Sequence, residues 1–137
     1  MEVSIMLKDV SWYRKNVSSL MLSLGIVGII LSILAPNPNA TGLFIVISTI
    51  PIIMTGITRA RLNKADKGSL IEARIIIEAS WISLNMGLSY VVMSPSAYYS
   101  AGSILTQIGL VVVGLLFLIL GAGSIIAHGK AGHVLTP

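Results

Sequence analysis

Cysteine is absent from the 137-residue sequence, which excludes disulfides, thiolate metal sites and thiol nucleophiles. Charge is scarce as well: 10% of residues are Asp, Glu, Lys or Arg, against about a quarter in ordinary soluble domains. None of these four types occurs between Lys15 and Arg59, or between Glu78 and Lys130. Strand-like alternation and a Gly-rich phosphate loop are also missing, so the common nucleotide-binding folds are excluded. What remains is 55% hydrophobic, too apolar to coat a soluble domain of this size with polar groups. Such a chain expects lipid, or a continuous wall of its own copies, as part of its solvent.

The little charge present is concentrated. The stretch 59–74, RARLNKADKGSLIEAR, carries Arg59, Arg61, Lys64, Lys67 and Arg74 out of nine basic residues in the chain. Formal net charge is +4, and the excess favours anionic partners, either lipid headgroups or nucleic-acid phosphates.

Along the chain, residues 1–15 space Val3, Met6, Leu7 and Val10 as one face of a short amphipathic helix lying at an interface, with Trp12 and Tyr13 at its boundary. No cleavable leader is expected here. Residues 16–35 are uncharged and long enough to cross a hydrocarbon layer of about 30 Å. The turn PNPNA stops that helix, and a second span runs back over 41–58 with Pro51 inside it, predicting a bend near Ile47–Pro51. Ser69 and Glu72 have capping-box spacing, so a third helix starts there and continues to about Met93. SPSAYYS is read as the next connector, 101–128 as the fourth helix, and 129–137 as a loop-like tail.

The expected fold is therefore all-α: one domain over 1–137, a highly hydrophobic antiparallel four-helix bundle of two helical hairpins (16–58 and 75–128) joined by the basic connector 59–74. Up-down order puts every Lys and Arg on one side, the positive-inside pattern with both termini cytoplasmic. Small residues recur every seven positions: Ser18, Gly25, Ser32; Gly42, Thr49, Gly56; Ala73, Ser80, Gly87, Ser94; and Gly102, Gly109 beside Gly114, Gly121. Such stripes allow helices to approach closely with a left-handed crossing.

Chemistry is sparse. Glu78 is the one acid embedded in an apolar run, but Arg74 four residues earlier makes a structural ion pair the preferred reading over proton handling. His128 and His133 are five apart across glycines with no later carboxylate, and a flexible polar tail is preferred to a metal or acid–base site. Asn85, Gln107 and Ser103 are expected to hydrogen-bond between helices rather than line a polar path. No nucleophile–base pair stands out, so neither an enzyme, nor a cofactor, nor a metal is expected. The candidate phosphate contacts, to lipid or to nucleic-acid backbone, are Lys8, Arg14, Lys15, Arg59, Arg61, Lys64, Lys67 and Lys130.

A short, cysteine-free chain of paired apolar helices, charged at one end and with Asn, Pro, Ser and Tyr turns at the other, resembles the major coat proteins of spindle-shaped archaeal viruses, most of all those of the large tailed kind. The resemblance implies a subunit that sits in the host membrane before assembly, then packs with many copies of itself into a helical shell around DNA. The basic ends would face the genome, and the opposite turns would present nothing that titrates in acid. No functional residue is carried over from it. The competing class is a small integral membrane protein, either an accessory subunit of a larger complex or a minor transporter. The absence of an inverted repeat weighs against the transporter.

Overall fold

The computed structural model describes residues 9–34, 38–101 and 104–133, with side chains at 9–34, 42–93, 104–105 and 107–133. Four helices follow one another: α1 (Val10–Ile33), α2 (Pro38–Lys64), α3 (Leu70–Ala101) and α4 (Ile104–Lys130). No strand occurs among the described residues. The fold is an all-α four-helix bundle, and each helix is long and apolar enough to cross a membrane. At 1.5 Å rise per residue, the 24 residues of α1 reach about 36 Å.

The bounds of the first three helices depart from the sequence expectation. The first span begins at Val10 rather than Asn16, because Asp9 caps it: the Asp9 carboxylate accepts the Trp12 N–H at 3.0 Å and the Ser11 hydroxyl at 2.8 Å. Residues 10–15 are thus continuous with the span, and Tyr13 is buried between helices instead of lying at an interface. The proposed separate amphipathic helix otherwise falls on residues 1–8, outside the described residues.

The second helix runs from Pro38 to Lys64, so part of PNPNA and residues 59–64 of the expected connector are helical. Proline suits the first helical position, where its missing N–H costs no bond. Arg61 and Lys64 occupy the last turn, where cations meet the negative end of the helix dipole. The third helix continues through SPSAYYS to Ala101. Pro95 removes one backbone donor, and the segment holds no Gly or Asn to open a turn.

The link between the hairpins is consequently short. Gly68 takes a positive φ of 78°, which L-residues with side chains rarely adopt. Ser69 then caps α3: its Oγ accepts the Glu72 N–H at 3.2 Å, and the Glu72 carboxylate accepts the Gly68 N–H at 3.1 Å. The capping box expected from the sequence forms, displaced by one residue on its return bond.

Packing is most extensive between α3 and α4, then between α1 and α2. Among the described residues α2 and α4 do not meet, while α1 reaches both α3 and α4. At the centre, the Tyr90 ring stacks between Phe44 of α2 (5.9 Å between ring centres) and Phe117 of α4 (5.7 Å). All three are essentially fully buried, so one aromatic column ties three helices together.

The small-residue stripes divide. Ser18, Gly25 and Ser32 of α1 and Ala73, Ser80 and Gly87 of α3 face inward, as do Gly114 and Gly121 of α4. Gly42 and Gly56 of α2 are exposed, with open space where a Cβ would stand. The buried row of α2 is Phe44, Ser48, Pro51, Thr55 and Thr58. The sequence stripe placed α2 with the wrong face inward, because the bulky Phe44 and the hydroxyl-bearing Ser48 and Thr55 gain more from the interior than glycines do.

Candidate basic face

The starts of α1 and α3 and the ends of α2 and α4 gather at one end of the bundle, and salt bridges tie them. Arg14 of α1 lies 3.3 Å from the Glu72 carboxylate of α3. Arg61 of α2 pairs with Glu78 of α3, and Arg74 approaches the same carboxylate at 3.8 Å along its own helix. The expected Arg74–Glu78 pair is therefore present, but it is the outer arm of a three-residue cluster whose inter-helix partner is Arg61. Arg59 donates to the hydroxyls of Ser19 (3.0 Å) and Ser18 (3.4 Å).

These contacts sort the candidate phosphate ligands. Arg14, Arg59 and Arg61 are engaged with neighbouring side chains at the bundle end, Arg59 and Arg61 while still exposed. Lys15, Lys64, Lys67 and Lys130 are exposed, with no ion pair among the described residues. Lys8 lies outside the described residues. Exposed ammonium groups at the same end as these arginines suit non-specific contact with phosphate, whether on lipid or on nucleic acid.

Among the described residues the buried polar side chains other than His128 are hydroxyls, and several of them close on one another or on backbone carbonyls. Ser48 and Tyr90 hydrogen-bond between α2 and α3, and Ser80 donates to Ser124 at 2.6 Å between α3 and α4. Ser83 donates to the Phe117 carbonyl at 2.8 Å. Thr55 donates to the Pro51 carbonyl at 2.7 Å and reaches the Ser18 carbonyl of α1 at 3.3 Å. Neutral hydroxyls that close on one another act as fasteners between helices.

The other polar candidates do not converge. Asn85 is exposed and donates to the Trp81 carbonyl of its own helix at 3.0 Å. Gln107 is half-buried and stands roughly 13 Å away along the α3–α4 pair, given that Gly87 packs on Gly114. Ser103 is outside the described residues. An apolar groove of about 260 Å³ between α1 and α4, lined by Trp12, Tyr13, Leu20, Leu24, Leu116, Ile119 and Leu120, has no acid or base beyond the Tyr13 hydroxyl.

His128 is where the structure overturns the sequence reading. It belongs to α4 and is completely buried, not part of a flexible tail. The signal that could have found this is Gly132: a helix ending in glycine at this offset commonly closes with a Schellman turn. Here Gly132 has φ of 82°, the His133 N–H donates to the His128 carbonyl at 3.0 Å, and the Gly132 N–H donates to the Gly129 carbonyl at 3.1 Å.

With fold and geometry in hand, the class that can be stated is an all-α bundle of four helices of membrane-spanning length with a basic end. No protein-family model matches the chain, and neither the curated proteins nor the solved structures contain a match.

Proposed function

We propose that this chain is a structural coat subunit, inserted in a host membrane before assembly. It then packs laterally into a helical shell with its lysine-bearing end toward packaged DNA. The observation that carries this reading is the partition of the surface. An exterior rich in apolar side chains, including Ile30, Val46, Ile53, Val92, Leu105 and Ile119 at 52, 63, 60, 72, 81 and 68% exposure, surrounds the bundle, and Lys15, Lys64, Lys67 and Lys130 are exposed at the charged end. Large contiguous apolar surface is rare on soluble monomers and marks contact with lipid or protein. The resemblance to coat proteins of spindle-shaped archaeal viruses points the same way.

The second reading is an accessory subunit of a membrane complex, favoured by the outward row Gly42, Thr49, Gly56, which suits close approach of another helix. A transporter is disfavoured by the mutually satisfied hydroxyls at membrane depth.

Isolation of native particles separates the two. Filaments or virions dominated by this one chain and containing DNA are expected. Recovery solely from membranes, in fixed ratio with other subunits, overturns the coat reading. Replacing Lys15, Lys64, Lys67 and Lys130 by Gln leaves the internal salt bridges intact and is expected to abolish DNA retention in assembled particles. Unchanged DNA content removes the role of this face.

A further inference from the structure

The Schellman turn at the end of α4 does more than stop the helix. In this motif the side chains three residues before and two residues after the turn meet, usually as an apolar contact. In this chain both positions are histidine: the rings of His128 and His133 lie 5.3 Å apart, centre to centre. Two imidazoles where aliphatic side chains serve as well call for a chemical reason.

Their hydrogen bonding supplies one. His128 Nδ1 lies 2.8 Å from the Ser124 carbonyl. A carbonyl only accepts, so Nδ1 carries the proton and Nε2 presents a bare lone pair. Among the described residues that Nε2 is buried without a hydrogen-bond partner, and so is Nδ1 of His133. A metal-bound histidine characteristically donates its other ring N–H to a backbone carbonyl, which fixes the tautomer and aims the lone pair. The spacing fits as well: with metal–nitrogen bonds of about 2.0–2.1 Å, two imidazoles on one tetrahedral ion have ring centres roughly 5 Å apart.

The charge beside the pair opposes a cation and is offset in part. Arg14 of α1 is close enough to act electrostatically on His128, and it is balanced by Glu72 of α3 at 3.3 Å. Among the described residues no group of three or more His, Asp or Glu side chains forms a closed metal cage, so the remaining coordination positions belong to water or to an exogenous donor.

We propose that His128 and His133 form a two-histidine site for a divalent transition ion of the imidazole-preferring class, such as Zn²⁺ or Cu²⁺, pinning the C-terminal turn onto the basic end of the bundle. The proposal is independent of the coat reading. The backbone turn holds the two rings together before any ion arrives, so the site is preorganised.

The test uses the full, tag-free chain in detergent micelles at neutral pH, titrated calorimetrically with Zn²⁺ alone. One ion per chain is expected, together with a rise in Tm on saturation. His133→Leu keeps the apolar contact of the turn and removes one ligand. Since loss of a mere outer-shell partner weakens metal binding by about 10–100-fold, this variant is expected to bind at least that much more weakly, with an unchanged helical circular dichroism spectrum. His128→Leu should behave alike, and the half-exposed position of His133 keeps the test valid if the buried variant fails to fold. Absence of saturable binding to the native chain, or equal binding by the His133→Leu variant, overturns the site.

Discussion

In the second hairpin Gly87, Gly114 and Gly121 carry the contact between helices, whereas in the first Gly42 and Gly56 of α2 meet nothing. A Cβ on Gly121 would stand 2.6 Å from the Ser80 carbonyl and 2.7 Å from the Leu84 nitrogen; on Gly87 it would stand 2.6 Å from the Gly114 carbonyl. These are backbone atoms, so the α3–α4 seam leaves no room for a Cβ at either glycine. Of the most apolar stretch of α4, 56% is buried within the bundle; for α2 the share is 28%. The same glycine spacing thus builds an internal seam on α3 and α4, packs Gly25 of α1 against the Ser48 carbonyl of α2, and leaves an open outer face on α2 itself. In helices this apolar on every side, hydrophobicity alone does not select an inward face, so rotation is decided by packing and hydrogen bonds.

The sharpest way to break this comparison is to add a side chain on each side of it. Gly121→Val is expected to destabilise the bundle by about 3 kcal/mol, the upper end for overpacking, read from thermal or denaturant unfolding in micelles. Gly56→Val, in open space, should stay within about 0.5 kcal/mol. Equal losses from the two variants would mean that the seam is not special.

A smaller effect tests how the hairpins are fastened to each other. Tyr90→Phe leaves the Ser48 hydroxyl buried without its inter-hairpin partner, at a cost of about 1–3 kcal/mol, and the double variant with Ser48→Ala should recover part of that loss. Strict additivity in this cycle would show that the two hydroxyls are not coupled.

Smaller again is Glu78→Gln. Its carboxylate is 26% exposed and faces Arg61 and Arg74, so a change of under about 1 kcal/mol is expected, diminishing with salt.

The least effect concerns acid. The Trp12 N–H and the Ser11 hydroxyl hold the Asp9 carboxyl below its ordinary value of 3.8. A depressed carboxylate contributes stability that is fully present above its unfolded pKa and lost as pH falls through the folded one. Fraying at the start of α1 should therefore appear only below about pH 4, measured by amide exchange near Trp12, and should be absent in Asp9→Asn. Fraying at the same pH in that variant would assign the effect to another group.

Much of this was legible in the residues. Uncharged runs of sufficient length, Pro and Asn between them, and the Ser69–Glu72 cap announce four helices, their order and the end on which charge collects. Helix ends were less legible, because proline at 38 and 95 reads as a break in a linear scan while a helix accepts it at its first position or at the loss of one bond. Arg61 reaching Glu78 was hidden too, since a side chain on another helix leaves no mark in local spacing. His128 was misjudged because its environment depends on the turn at Gly132, which folds the following residue back onto it.

Composition and spacing alone determined that the chain is helical, that its helices have membrane length, and that its cations lie at one end, because those properties depend on backbone hydrogen bonding and local periodicity. Tertiary structure alone decided which face of each helix turns inward, which arginines are bound within the bundle and which lysines are left free. It also decided that the buried His128 and the half-exposed His133 stand side by side. Those outcomes depend on rotation about the helix axis, and in an all-apolar setting that rotation is fixed by the close fit of particular side chains, Phe44 and Tyr90 against Phe117, and Gly87 against Gly114.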